Sequence, residues 1–196
     1  MKKEIREYDI DEQGFLGMSA ISLVKFPAIE ADFIALAKQK EMKLAEVKED
    51  RRMVYGAVLI PDKLIYREEE DGTPYYGKFT KRLIEKLAYG LLEKNLHHNH
   101  TVEHTFAVTG LTVVESWIKE GDSDKSNEFG FDMPVGTWFV GVKVYNDEVW
   151  NQVKEGKIKG FSIEAFLNEI GVEMSREENL SSFITEVENY LSSLRS

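Results

Sequence analysis

Short apolar stretches rich in β-branched and aromatic residues, broken repeatedly by Gly, Pro, Asp or Asn, dominate this chain and limit what it can fold into. SLVKF (22–26), RMVYGAVLI (52–60), LIYREEE (64–70), PYYGKF (74–79), TVEHTFAV (101–108), GLTVVESWIKEG (110–121), GTWFVGVKVY (136–145) and GFSIEAFLNEI (160–170) each read as a strand. Pro61-Asp62 and Asp71-Gly72 are turn residues between them. Helical stripes are fewer. TKRLIEKLAYGLLEK (80–94) carries Leu83, Leu87 and Leu91 on one face behind Thr80 as N-cap. NDEVWNQVKEGKI (146–158) is a short helix with Val149, Trp150 and Val153 inward, capped by Asn146 or Asp147 and closed near Gly156. Ile29, Phe33 and Leu36 suit a third, short helix, and Leu180, Phe183, Ile184, Val187 and Leu191 a terminal amphipathic one. GDSDKSNEFGFDMP (121–134) reads as a loop.

Strands outnumber helices and the two do not alternate strictly. That points to an α+β fold: a bent or barrel-like, mostly antiparallel β core surrounded by helices. The chain divides into an N-terminal appendage and charged linker (1–50), a core (51–170) and a C-terminal amphipathic helix packing on that core (171–196). A length of 196 residues suits one domain with a small appendage.

Charge and composition exclude several classes of function. A net charge of −10 disfavours nucleic acid and anionic lipid as partners, since phosphate contact needs clustered Lys and Arg. With no cysteine there is no disulfide, thiolate metal site or cysteine nucleophile, which suits a reducing compartment. The charged start and the lack of a long apolar run predict neither a signal peptide nor a membrane span. No P-loop, G-x-G-x-x-G, EF-hand or H-E-x-x-H motif is present, and no cofactor is implied.

Two places carry possible chemistry. All four histidines, His97, His98, His100 and His104, lie in one short segment, which reads as a polar loop, a metal site or the source of one catalytic base. His104 falls on the strand parity of Val102, Phe106 and Val108, the more apolar face, where a histidine serves either as a core residue or as a base. Ser162 and Glu164 point the same way along GFSIEAF. A serine hydroxyl attacks only with a neighbouring base to take its proton, and the hydrolase elbow G-x-S-x-G is replaced here by G-F-S-I-E.

Several blocks, in order, resemble the prohead (procapsid) core serine proteases of tailed bacteriophages. They are ISLVKFPAIE (21–30), VYGAVLIPDKLIYR (54–67), YYGKFT (75–80), TVEH (101–104), VVESWI (113–118), VGTWFVGVKV (135–144), VW (149–150) and GKIKGFSIEAF (156–166). The resemblance implies a fold similar to the herpesvirus assemblins. It implies a serine endopeptidase that cleaves scaffold and major capsid proteins, and itself, inside the assembling procapsid in the bacterial host cytoplasm. Self-association into a homo-oligomer is compatible with it. Ser162 then stands at the nucleophile position and His104 at the general base. Assemblins use a second histidine after the serine, and this chain has none after His104. A carboxylate is expected in its place: Glu115 of ESWI first, Glu164 as runner-up. Two rival readings are a catalytically inactive scaffold or core protein of the same fold, and a metal-dependent hydrolase built on the histidine cluster.

Overall fold

The computed structural model describes residues 4–10, 17–30, 34–36, 51–69 and 71–172. In chain order the elements are β1 (Glu4–Asp9), β2 (Gly17–Val24), β3 (Ile34–Leu36), β4 (Met53–Leu59), β5 (Ile65–Glu68), β6 (Pro74–Lys78) and α1 (Lys81–Glu93). A 3-10 turn at Leu96–His98 follows, then β7 (His100–Val102), β8 (Phe106–Val108), β9 (Leu111–Ile118), α2 (Lys125–Glu128), β10 (Trp138–Val144), α3 (Asp147–Lys154), β11 (Gly160–Phe166) and β12 (Asn168–Val172). The fold is mixed α+β, with mostly sheet and few helices.

The strands form three four-stranded sheets, ordered β12-β1-β6-β5, β3-β4-β10-β9 and β11-β2-β7-β8. All pairings are antiparallel except β1 with β6 and β2 with β7. The expected barrel-like core is corrected by this arrangement. Among the described residues each sheet ends in strands with an unpaired outer edge, so no barrel closes.

Local signals place α1 and α3 well. Thr80 is extended (φ −74°, ψ 156°) and its hydroxyl accepts the Leu83 N–H at 3.2 Å, supplying the cap that α1 needs. Leu83, Ile84, Leu87 and Leu91 form its buried stripe, which packs on β2, β9 and β10. Burying each contributes about 1.5–3 kcal/mol. The Asn146 side chain caps α3 through the Val149 N–H at 3.0 Å, and Gly156 supplies the positive φ of 67° that ends the segment. Trp138, Phe139, Trp150 and Phe161 lie at the centre of the core, with Ile21 and Leu23 of β2.

Several expectations change. Residues 34–36 are a strand paired with β4, not part of a helix. The loop at 121–134 holds one helical turn, α2, capped by Asp124. GFSIEAFLNEI breaks at Leu167 into β11 and β12, which join different sheets. Its strict alternation lapses at the break, where Ala165, Phe166 and Leu167 run together and Asn168 and Glu169 follow. Within 1–50 the described strands join sheets with later ones: β2 lies between β11 and β7, and β1 between β12 and β6. Most of the charged linker, and all of the expected terminal helix (171–196) beyond Gly171 and Val172 of β12, fall outside the described residues.

Gly77 shows how tightly the first sheet is built. A Cβ at this position would run into the ring of Tyr8, which itself packs on Phe79 at 4.8 Å. We expect Gly77→Ala to lower stability by about 1–3 kcal/mol in urea titrations, because a close-packed ring has no room to retreat. The exposed loop position Gly72 has open space but a φ of +83°, so any loss from Gly72→Ala reflects backbone strain alone.

Candidate active site

The third sheet sets the site by register. Antiparallel β11 and β2 place Ser162 opposite Ser22, and parallel β2 and β7 place Ser22 beside Thr101. Residues paired in this way project from the same face, and Glu164 lies two residues beyond Ser162 on that face. The opposite face carries Ile21, Leu23 and Phe161, all fully buried. A β-bulge falls between Glu164 and Ala165, a device that re-aims a side chain at a strand end.

The two paired serines differ in availability. Ser22 is fully buried, and its Oγ accepts the backbone N–H of His104 at 3.0 Å. Ser162 is half-buried, and among the described residues its hydroxyl has no hydrogen-bond partner. Only Ser162 combines access with an unengaged oxygen.

His104 does not sit on a strand, as its apolar parity predicted. Val102 pairs with Phe106, and the chain reverses between β7 and β8 at Glu103 and His104. Thr105 N–H closes the turn on the Val102 carbonyl at 3.1 Å. Both central residues have positive φ, 51° and 55°, as in a type I′ turn, usually the province of Gly and Asn. No glycine marks the turn, so the alternation of TVEHTFAV hides it. The turn carries the His104 side chain out to 43% exposure and brings its Nδ1 to 3.4 Å from Glu164 Oε1. The Thr101 hydroxyl donates to the same carboxylate oxygen, and the Ser19 hydroxyl donates to the Glu164 carbonyl at 2.9 Å. An imidazole whose Nδ1 faces a carboxylate keeps Nε2 free to take a proton.

Glu115 lies elsewhere. It is on β9, across Gly141 from Tyr55. The Tyr55 hydroxyl donates to Glu115 Oε1 at 2.6 Å and the Lys125 ammonium to Oε2. The glycine permits this reach, because a Cβ at 141 would come within 2.6 Å of the Tyr55 ring. Burial pushes the Glu115 carboxyl up, but the Lys125 and Tyr55 hydrogen bonds and the Lys125 charge outweigh it and hold it below the ordinary range. Burial and the Glu115 carboxylate raise Tyr55 to about 12. Glu115 therefore ties the strand to α2, and the structure brings Glu164, not Glu115, to His104.

The other histidines do not converge as ligands. Among the described residues no three His, Cys, Asp or Glu side chains are grouped to hold a metal ion. His98 Nδ1 meets the Thr112 hydroxyl at 3.0 Å. His100, expected in a loop, is a buried β7 residue at 3% exposure, with Nε2 3.2 Å from the His97 carbonyl. Burial, only partly opposed by hydrogen bonds to the His97 and Ile21 backbone, pushes it from 6.5 down to about 4. Because the folded value is the lower one, its contribution is fully present above pH 6.5 and is lost as pH falls toward 4. We expect urea titrations to show up to about 3 kcal/mol of such loss, and His100→Leu to remove that share of the slope.

Ser22, Thr101 and Glu103 were not singled out from the sequence. The signal that was present is the two hydroxyls, Ser19 and Ser22, inside the otherwise apolar MSAISLV, where a buried serine must serve a hydrogen bond.

A family model described as "Putative phage serine protease XkdF" matches residues 41–171. The uncharacterized protein YqbD of Bacillus subtilis (strain 168) is 32% identical over 127 residues, 64% of this chain and 35% of that protein. The phage-like element PBSX protein XkdF of the same organism is 27% identical over 166 residues, 83% of this chain and 54% of that protein. The chain thus spans about a third to a half of the length of these curated relatives. No solved structure matches it.

Proposed function

The chain belongs to the family described as "Putative phage serine protease XkdF", and we propose that it is a serine endopeptidase with Ser162 as nucleophile, His104 as general base and Glu164 as the carboxylate that orients the imidazole. One observation carries this reading: His104 Nδ1 faces Glu164 Oε1 at 3.4 Å beside the face that bears the unengaged Ser162 hydroxyl. In the reaction, Ser162 Oγ attacks the scissile carbonyl carbon while His104 Nε2 takes its proton. The tetrahedral adduct collapses to an acyl-enzyme, and His104 returns the proton to the leaving amine. Water then attacks the acyl carbon with His104 again as base, freeing the new carboxyl end and Ser162. Glu164 keeps Nδ1–H in place and offsets the charge of the imidazolium.

The substrates we assign are scaffold and major capsid proteins, and the chain itself, cut inside the procapsid in the host cytoplasm. The assemblin-like relationship belongs to the same proposal. The test is to incubate the wild-type protein and Ser162→Ala with a scaffold protein and follow intact masses. Discrete cuts by the wild type alone support the reading. Equal inertness of both sinks it in favour of a non-enzymatic core protein, and equal cutting removes Ser162 from the chemistry.

A further inference from the structure

The backbone that presents His104 is strained, and β2 holds it there. Two consecutive residues with side chains, Glu103 and His104, occupy the left-handed region at φ 51° and 55°. Residues other than Gly, Asn and Asp adopt it rarely, and surrounding contacts must hold them there. Three contacts from the end of β2 do so. Glu103 N–H donates to the Leu23 carbonyl at 3.1 Å. Lys25 N–H donates to Glu103 Oε1 at 2.6 Å. His104 N–H donates to Ser22 Oγ at 3.0 Å. Ser22 is fully buried and stands in register between Ser162 and Thr101, the strand partners on either side of it. One short strand thus links the turn that carries His104 to the strand that carries Ser162.

We infer that Ser22 and Glu103 are positioning residues, clamping the β7–β8 turn so that His104 is held at Glu164, on the strand that also carries Ser162. The inference rests on the serine-protease reading above. It assigns the two residues no contact with substrate. Without the Ser22 oxygen the His104 N–H loses its acceptor, and without the Glu103 carboxylate the turn loses its tie to Lys25. In either case the turn relaxes and the imidazole leaves its place. A displacement of about 1 Å at a reacting group costs on the order of 10²-fold in rate.

The experiment measures covalent labelling of Ser162 by a fluorophosphonate, which needs the base but no known protein substrate. The maximal inactivation rate, the half-saturating probe concentration and the melting temperature are recorded for each full-length variant. For Ser22→Ala we expect the maximal rate to fall by roughly 10²-fold, with half-saturation unchanged and a folded protein. Glu103 is exposed, so Glu103→Ala serves if Ser22→Ala does not fold. Its maximal rate falls as well, and Glu103→Gln, which keeps an oxygen for Lys25 N–H, recovers most of it. If Ser162→Ala takes no label but Ser22→Ala and Glu103→Ala label like the wild type, the clamp is overturned while the protease reading stands. If Glu103→Gln is as slow as Glu103→Ala, the tie to Lys25 is not the cause and the clamp is likewise overturned. If the wild type takes no label, or Ser162→Ala labels equally, the reading beneath the inference fails.

Discussion

Ser162→Ala is expected to stop cleavage, lowering the rate by on the order of 10⁴-fold or more, while leaving the fold intact. The stability half of this expectation follows from the structure. The Ser162 hydroxyl has no partner among the described residues, so its removal orphans nothing. The strand keeps its register with Ser22, because pairing on β2 is made by backbone groups. His104→Ala is expected to cost nearly as much, and the double variant no more than either alone, since nucleophile and base act as one unit. Intact-mass time courses on a scaffold substrate, with melting curves beside them, give both halves. Additive losses would show that the two residues do not serve one step.

Glu164→Gln against Glu115→Gln is the second large contrast. At 164 glutamine keeps the size and an oxygen for the Thr101 hydroxyl, but it loses the charge that faces His104 Nδ1. We expect kcat to fall by about 10⁴-fold, the loss expected when the orienting carboxylate of a serine triad is made neutral, with little change in melting temperature. At 115 the pattern reverses. The carboxylate there is held by Tyr55 and Lys125. We expect Glu115→Gln to lower stability by about 1–2 kcal/mol, discounted because both members of the ion pair are partly exposed, and to leave kcat within a few-fold. A large kcat loss at 115 with none at 164 would return the orienting role to Glu115.

The corrections share a form. Ser162 and Glu164 were legible as one face of a strand, because alternation is a property of neighbouring residues. The helix α1 was legible down to its cap, because Thr80 and the Leu83 to Leu91 stripe act within a few turns. Resemblance supplied Ser162 and His104 together, as paired blocks rather than as geometry. The choice between Glu115 and Glu164 was not legible, since both stand near a candidate residue in the chain and only sheet pairing separates them. The hairpin at Glu103 and His104 was invisible for a related reason: its backbone is imposed by Ser22, Leu23 and Lys25, a distant strand, and not by its own residue types.

Local sequence therefore determined α1 and α3 with their caps, most of the strands and which residues share a face within most of them. The tertiary structure alone decided that β2 joins β11 to β7, that β12 leaves for another sheet, and that His104 meets Glu164. The physical reason is range. Periodicity and capping act between residues a few positions apart, whereas strand register is chosen among distant segments by backbone pairing and a shared core face.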